Sequence, residues 1–257
     1  MARTTPAPLP GAASRNAARA RQSLGDAALQ SLGALTFILM LATLYLALIY
    51  APTEAVQGHA QRIFYFHVPT AWVGFLAFFV VFVASISYLL RGGRTTDAIA
   101  RSSAEIGLLF TTMMLVTGSL WGKPIWGTWW TWDPKLTTSL ILWFIYVGYL
   151  MLRAYAPTRE QSARYGAVLG IVGFVDVPIV YMATTWWRTQ HPEAVITADG
   201  ASMAPEMLLA FLVSLLSFTL LFLYLLIQRV HIQRLQDKAD DARLELAARE
   251  VQRGGIQ

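Results

Sequence analysis

Six long apolar runs, separated by short polar segments, dominate the sequence. Apolar runs near or above about 18 residues are candidates for helices that cross the hydrocarbon core of a bilayer. They lie at residues 31–50, 68–90, 104–120, 138–153, 165–187 and 205–228. The first run is longer than the core of a cleavable signal peptide, and no small-x-small cleavage site follows it. The pattern therefore predicts an all-α, polytopic membrane protein with six transmembrane helices.

The basic residues predict how these spans are oriented. Sixteen of the 20 Lys and Arg residues fall in the N-terminal tail, the second and fourth connections and the C-terminal tail. The other four, in the opposite loops, are Arg62, Lys123, Lys135 and Arg188. Because basic loops tend to stay in the cytoplasm, both termini are predicted to be cytoplasmic. This asymmetry also accounts for the net charge of +5, so nucleic acid is not an expected partner, whereas membrane lipids are.

Composition narrows the possible chemistry. Charged residues make up 14% of the chain, against roughly 25% in a soluble domain. The absence of cysteine excludes disulfides, thiolate metal sites and thiol catalysis. No Walker A motif or glycine-rich nucleotide loop is present, so ATP must be handled by a partner. No nucleophile–base pair is present either, and the sequence leaves open whether the protein is an enzyme.

The same pattern divides the chain into three regions. Residues 1–30, rich in Ala, Pro and Arg, are predicted to form a disordered cytoplasmic tail. Residues 31–228 form the membrane domain, with an outer-face loop at 121–137. Residues 229–257 are predicted to be a cytoplasmic helix or tail. Apolar positions recur there at three- and four-residue steps, which fits either a solvated extension of the last span or a partner-binding helix.

The loop after the third span is unusually rich in tryptophan. Residues 121–133 read WGKPIWGTWWTWD, five tryptophans in thirteen positions. An aromatic belt at the membrane interface explains isolated tryptophans at span ends, such as Trp72, Trp186 and Trp187, but not five in one connection. The glycines allow sharp turns among the bulky side chains. We therefore predict a preformed platform for a flat apolar ligand, made of Trp121, Gly122, Trp126, Gly127, Trp129, Trp130, Trp132 and Asp133.

Two histidines flank this loop on the same side of the membrane. His67 lies just before the second span, where Pro69 favours an extended or turning residue ahead of the helix. His191 lies just past the fifth span. Either one alone is readily explained as an interfacial polar residue. Together with an aromatic surface they predict a haem site, because haem iron accepts two axial imidazoles and the porphyrin ring needs aromatic cover.

Haem also carries two propionates, for which nearby basic residues are candidates. Lys123 lies inside the Trp-rich loop, Arg188 lies close to the end of the fifth span, and Arg62 is a further candidate. These cations are equally compatible with simple headgroup contacts, and both interpretations stay open. Asp176, in the middle of the fifth span and just ahead of a proline, is either a functional intramembrane acid or a partner for backbone freed by that proline.

These residues resemble a known family. The octapeptide WGTWWTWD at 126–133, with the segments FHVPTAW and WWRTQH, is similar to the WWD domain of the cytochrome c maturation protein C family, also called haem exporter protein C. The resemblance covers roughly residues 30–230. It implies transiently bound haem b at the outer face of the bacterial inner membrane, with His67 and His191 as axial ligands of the iron.

The resemblance also implies a place in System I cytochrome c maturation. Family members present haem to a membrane-anchored haem chaperone, cytochrome c maturation protein E, which attaches a haem vinyl to its own histidine. ABC transporter subunits A and B and a small membrane protein, D, complete the expected complex. A haem-lyase-like role would consist of positioning haem for the chaperone. We expect the vinyl edge to stay exposed and Asp133 to orient the loop by accepting N–H bonds.

Alternative functions remain at this stage. One alternative is a transporter that moves haem across the bilayer. Polar residues lining a path through the spans would favour it, but Asp176 is the one clear charge in the middle of a span. A second alternative is a structural subunit of an ABC complex whose Trp-rich loop packs on a partner. A bis-histidine haem is also compatible with electron transfer, although no second cofactor site is recognisable.

Overall fold

A computed structural model describes residues 12–192, 196–197 and 200–254. Six helical segments in that part of the chain are long and apolar enough to cross a membrane, which confirms the predicted all-α, six-span fold. The helices are α1 (Ala12–Tyr45), α2 (Phe64–Arg91), α3 (Arg94–Trp126), α4 (Pro134–Tyr155), α5 (Arg159–Phe174), α6 (Asp176–Trp186) and α7 (Pro205–Gly254). A π-helical turn (Leu46–Tyr50) follows α1, a 3-10 turn (His59–Ile63) precedes α2, and two short strands, β1 (Ile196–Thr197) and β2 (Gly200–Ala201), pair antiparallel before α7.

The two ends of the bundle differ in their connections. The loop between α3 and α4, residues 127–133, marks one end, here called the Trp-loop end. The connections from α2 to α3 and from α4 to α5 lie at the opposite end, here called the tail end, where α1 begins and α7 finishes.

Both terminal segments of the described chain are helical. Helix α1 begins at Ala12, so the predicted disorder of residues 1–30 is wrong for residues 12–30, and residues 1–11 lie outside the described residues. Alanine recurs throughout 12–30, and its high helix propensity extends the membrane helix past its apolar part. At the other terminus, α7 continues without a break from the last span through residues 229–254.

The fifth predicted span consists of two helices. Helix α5 ends at Phe174 and α6 begins at Asp176. Pro178 has no backbone N–H, so the carbonyl of Phe174 has no helical donor and the helix is interrupted there. Among the described residues, Oδ2 of Asp176 is buried without a hydrogen-bond partner, so this oxygen does not accept a bond from the backbone freed by Pro178.

Helix α2 lies at the centre of the bundle and packs against α3, α5 and α7. Phe78 of α2 stacks on Tyr146 of α4 with ring centroids 3.6 Å apart, and Val81 and Val180 are buried beside them. A Cβ added at Gly170 of α5 would lie 2.8 Å from Cγ1 of Val81. Glycine thus allows α5 to approach α2 closely, as is common between membrane helices.

Ion pairs attach the long helix α7 to the tail end. Asp241 pairs with Arg94 at the start of α3 and with Arg159 at the start of α5. Arg229 donates from Nε and Nη2 to Glu105 at 2.6 and 3.1 Å. Ile232, Leu235 and Leu246, the larger of the apolar side chains that recur on α7 at three- and four-residue steps, remain exposed. Charged rather than apolar side chains hold this part of the helix.

Candidate functional site

A cavity of about 730 Å³ lies at the Trp-loop end between α2, α3, α4 and α6. Its volume is within the range of about 300–1,000 Å³ typical of small-molecule sites. The predicted site residues in its lining are His67, Trp121, Gly122, Trp126, Trp130 and His191, and most of the remaining lining is apolar. We call it the histidine cavity. Segments that lie far apart in the sequence therefore share one pocket.

The imidazole rings of His67 and His191 lie close together in this cavity. Their centroids are 6.5 Å apart and their planes are inclined by 40°. A metal–nitrogen bond of about 2.0 Å and a nitrogen-to-centroid distance of about 1.1 Å place two imidazoles on opposite sides of one metal with centroids about 6 Å apart. The observed spacing therefore suits a single metal ion held between the two rings.

Hydrogen bonding determines which nitrogen of His67 is available. Its Nδ1 lies 3.1 Å from Oγ1 of Thr117. The Thr117 hydroxyl donates its proton to the carbonyl of Met113 at 2.7 Å, so towards the imidazole it acts as an acceptor. Nδ1 therefore carries the ring proton, and Nε2 keeps the lone pair that binds a metal.

His191 reaches the same tautomer through the backbone. Its Nδ1 lies 2.9 Å from the carbonyl oxygen of Pro192, which accepts hydrogen bonds only. Its backbone N–H donates to Oγ1 of Thr189 at 3.1 Å, which fixes the turn after α6. Burial lowers the pKa of His191 because desolvation penalises the charged imidazolium. The ring is thereby kept in the neutral form that ligates metals.

The local structure around His67 differs from the prediction. Helix α2 begins at Phe64, so His67 lies inside its first turns rather than in an extended segment before it. Pro69 is accommodated in this helix at the cost of one backbone hydrogen bond. Gly118 of α3 faces the ring, and a Cβ added there would lie 2.9 Å from Cε1 of His67. The absence of a side chain at Gly118 is what lets α3 pack against the imidazole.

The Trp-rich loop is shorter than predicted, because α3 continues through Trp126. Gly127 then ends the helix with a φ of 75°, a left-handed conformation that favours glycine. Trp121 contacts His67 edge to face, with centroids 5.7 Å apart, and donates from Nε1 to Oε1 of Gln57 at 3.1 Å. A Cβ at Gly122 would lie 3.0 Å from the ring of Trp126, so the tryptophan packs against bare backbone.

The five tryptophans divide into two groups. Trp121, Trp126 and Trp130 line the histidine cavity. Trp129 and Trp132 lie outside its lining, with 56% and 75% of their surface exposed. The tryptophans of the predicted platform are therefore three indoles that face the cavity and two that project from the loop.

Asp133 begins helix α4. Its Oδ1 accepts the backbone N–H of Leu136 and its Oδ2 accepts the hydroxyl of Thr131, each at 3.1 Å. With Pro134 in the first helical position, this is a favourable helix start. The carboxylate thus accepts one backbone N–H, and it orients the loop through the cap of α4 rather than by contact with the cavity.

The basic residues predicted to meet propionates do not line the cavity. Lys123 donates from Nζ to the carbonyl of Gly127 at 2.9 Å and caps α3, and Arg188 is exposed. Arg62 donates to carbonyls at the end of the first span. Lys135, whose role the sequence interpretation missed, does line the cavity. The signal for it was the helix-start pattern Asp133–Pro134, which places the following lysine in the first turn of α4.

The fold and site define the class of protein: a six-span helical membrane protein with two facing imidazoles in an aromatic cavity at one end. Residues 13–245 match the family described as Heme exporter protein C (CcmC). The chain therefore belongs to the heme exporter protein C family, which confirms the resemblance in its sequence motifs.

Individual relatives agree with this assignment. The chain is 39% identical over 195 residues to Heme exporter protein C of Bradyrhizobium diazoefficiens, covering 76% of this chain and 74% of the relative. It is 36% identical over 181 residues to Heme exporter protein C of Escherichia coli strain K12, covering 70% and 73%. It is 37% identical over 175 residues to a putative cytochrome c biosynthesis ccmC-like mitochondrial protein of Marchantia polymorpha, covering 68% and 74%.

Proposed function

We propose that this protein binds haem in the histidine cavity and that Nε2 of His67 and Nε2 of His191 are the axial ligands of the iron. The observation that carries the proposal is the pair of imidazoles whose centroids lie 6.5 Å apart, each with its Nδ1 within hydrogen-bond distance of an oxygen atom. Names of relatives that refer to heme export and cytochrome c biosynthesis agree with this ligand.

The chemistry of the cavity also suits a porphyrin. Within the described part of the chain, no cluster of three or more His, Asp or Glu side chains is available to hold a bare metal ion. Two imidazoles supply two ligands, and a porphyrin brings the other four. The indoles of Trp121, Trp126 and Trp130 and the apolar walls would cover a flat ring. Haem b, the form that the resemblance to the family implies, is the cargo we propose.

The second part of the proposal concerns the fate of the haem. Trp129 and Trp132 project from the loop beside the cavity and form an apolar surface suited to a docking protein. We assign this surface to the haem chaperone, cytochrome c maturation protein E, which would accept haem at a vinyl group. The chain's contribution would be to hold and orient the haem, which accelerates the attachment by proximity.

The setting of this step follows from the charge distribution. Sixteen of the 20 basic residues fall in the N-terminal tail, the second and fourth connections between spans and the C-terminal tail. We therefore place the tail end in the cytoplasm and the Trp-loop end in the bacterial periplasm. ABC transporter subunits A and B and the small protein D are the proposed inner-membrane partners, since the chain carries no nucleotide-binding motif of its own.

The spectrum of the purified protein tests the ligands. We expect ferric haem to give a low-spin, bis-imidazole spectrum with the wild-type protein. Replacing both His67 and His191 by alanine should abolish it, whereas replacing the exposed His59 by alanine should leave it intact. Low-spin haem retained at the wild-type level in the double variant would contradict the assignment.

A separate measurement tests presentation to the chaperone. The double substitution Trp129→Ala and Trp132→Ala should leave haem affinity within about twofold of wild type, because neither indole lines the cavity. It should strongly reduce the amount of chaperone that becomes covalently loaded with haem. The matched control is Trp186→Ala with Trp187→Ala, at two exposed tryptophans that lie at the end of α6 and not in the Trp-rich loop. Normal loading with the loop variant would rule out this docking surface.

A further inference from the structure

We propose that Gln57, in the connection between the first two spans, is a positioning residue of the histidine cavity. It holds the indole of Trp121 in place, and through that indole it sets the plane of the His67 imidazole. This role rests on the proposed binding of haem. It adds a contribution from residues 51–58, a segment in which the sequence pattern predicts no site residue.

Three residues of α3 surround the imidazole of His67. The hydroxyl of Thr117 lies 3.1 Å from its Nδ1, Gly118 leaves room for the ring, and Trp121 meets it edge to face. The first two contacts are fixed, because the Thr117 hydroxyl is bonded to a backbone carbonyl of its own helix and Gly118 has no side chain. Trp121 is able to rotate about its side-chain bonds. Its place against the imidazole therefore needs a second restraint.

Gln57 supplies that restraint. The indole Nε1 of Trp121 donates to Oε1 of Gln57 at 3.1 Å. An indole N–H only donates, so the amide atom that faces it is the carbonyl oxygen. Both side chains line the histidine cavity and are partly buried. Because leaving a buried N–H unpaired is unfavourable, an indole that lost this acceptor would turn towards another one and away from His67.

A tight turn over residues 54–58 holds Gln57 in position. Oε2 of Glu54 accepts the backbone N–H groups of Val56, at 2.8 Å, and of Gln57. The carbonyl of Glu54 accepts the N–H of Gly58 at 3.1 Å. Gly58 has a φ of 57°, in the left-handed region that favours glycine. The amide of Gln57 is thus carried by a turn with its own hydrogen bonds, which makes it a defined support for the indole.

Trp72 provides an internal comparison. It also lines the cavity, and its indole donates to Oγ1 of Thr219 on α7, again at 3.1 Å. The described ring contacts of the two histidines are with Trp121 and with each other. Removing the acceptor of Trp72 therefore costs a similar hydrogen bond without disturbing a ring that touches either imidazole.

The electron paramagnetic resonance (EPR) spectrum of the ferric haem complex tests this role. The g values of low-spin haem depend on the angle between the two imidazole planes, because the ligand π orbitals set the energies of the iron d orbitals. The planes of the two rings are inclined by 40°. Gln57→Leu, which removes the acceptor, should shift and broaden the signal. It should also raise the dissociation constant about tenfold, the equivalent of one hydrogen bond. Thr219→Val should match wild type in both measurements.

A double-mutant cycle with Trp121→Phe separates positioning from direct contact between Gln57 and haem. If Gln57 acts through the indole, Gln57→Leu should cause no further loss of affinity in the Trp121→Phe background. An equal loss in both backgrounds, or wild-type g values in Gln57→Leu, would overturn the inference. If Gln57→Leu does not fold, Gln57→Asn replaces it in the same comparison with the same expectations. The asparagine side chain is one methylene too short to reach the indole.

A measurement on haem-free protein keeps this inference separate from the proposed function. In ¹⁵N-labelled protein, the indole N–H resonance of Trp121 is assigned by its loss in Trp121→Phe. It should move upfield in Gln57→Leu, because the N–H loses its acceptor, and it should stay in place in Thr219→Val. An unmoved resonance in Gln57→Leu would overturn the inference. The absence of a low-spin haem spectrum from wild type is a different result, which would contradict the proposed function and leave the resonance test valid.

Discussion

Replacing Thr117 by valine tests whether the tautomer of His67 governs haem binding. Valine has nearly the shape of threonine, so the packing between α3 and α2 should be preserved. It removes the oxygen that lies 3.1 Å from Nδ1 of His67. Without this acceptor the ring is free to place its proton on Nε2 or to rotate, and both states are unable to bind iron through Nε2.

The size of the effect follows from the single hydrogen bond lost. Leaving a buried donor without its partner costs about 1–3 kcal/mol. Binding of iron through Nε2 requires the ring proton to be on Nδ1. In the variant this Nδ1–H has lost its acceptor, so the cost is subtracted from the free energy of haem binding. Substitutions of residues that orient a metal-binding histidine lower affinity by about 10–100-fold, in agreement with that energy. We therefore expect the dissociation constant for ferric haem to rise by about 10–100-fold in Thr117→Val.

The assay is a titration with ferric haem followed by visible absorbance. Thr111→Val is the matched control, since the hydroxyl of Thr111 lies on the same helix and donates to the carbonyl of Gly107 at 2.7 Å. It should bind haem like wild type. Wild-type affinity and a fully low-spin spectrum in Thr117→Val would refute the argument that this hydroxyl sets the ligand tautomer.

Two further substitutions test the packing around the site and at the tail end. In Gly118→Ala the new Cβ would lie 2.9 Å from Cε1 of His67, against at least 3.4 Å for ordinary contact, so the ring must shift by about half an ångström. Haem titration of Gly118→Ala should show weaker binding and a high-spin component. The control Gly148→Ala, in which the new Cβ meets nothing within 4 Å, should behave as wild type. Identical spectra for Gly118→Ala and wild type would contradict this expectation. At the tail end, Arg153 pairs with Asp97 at 2.7 Å with little exposure of either side chain. Arg153→Met should lower the free energy of unfolding, measured by denaturation in detergent, by about 3–5 kcal/mol. Adding Asp97→Asn should recover part of this loss, because it removes the unpaired charge. An unchanged denaturation midpoint in Arg153→Met would show that the ion pair is not important for stability.

Much of the fold was predictable because the information for it is local. Each span is recognised from its own apolar residues, since the cost of placing polar groups in hydrocarbon acts residue by residue. Pro178 was a sequence signal for the break in the fifth span, although we predicted one helix there. The extents of α1 and α3 were less predictable, because helices continue past their apolar parts when alanine or a tolerated proline permits it.

By itself, the sequence determined the six helical spans, the family motifs and the two histidines as candidate ligands. Only the tertiary structure decided that His67 and His191 share one cavity, that Trp129 and Trp132 lie outside it, and that Lys135 rather than Lys123 lines it. The physical reason is that these outcomes depend on where helices end and on how they pack. Gly127 turns Lys123 back onto the end of α3, and Asp133 starts α4 so that Lys135 falls in its first turn. Local patterns such as Asp133–Pro134 set where a helix begins, but the meeting of segments far apart in the chain depends on how the helices pack.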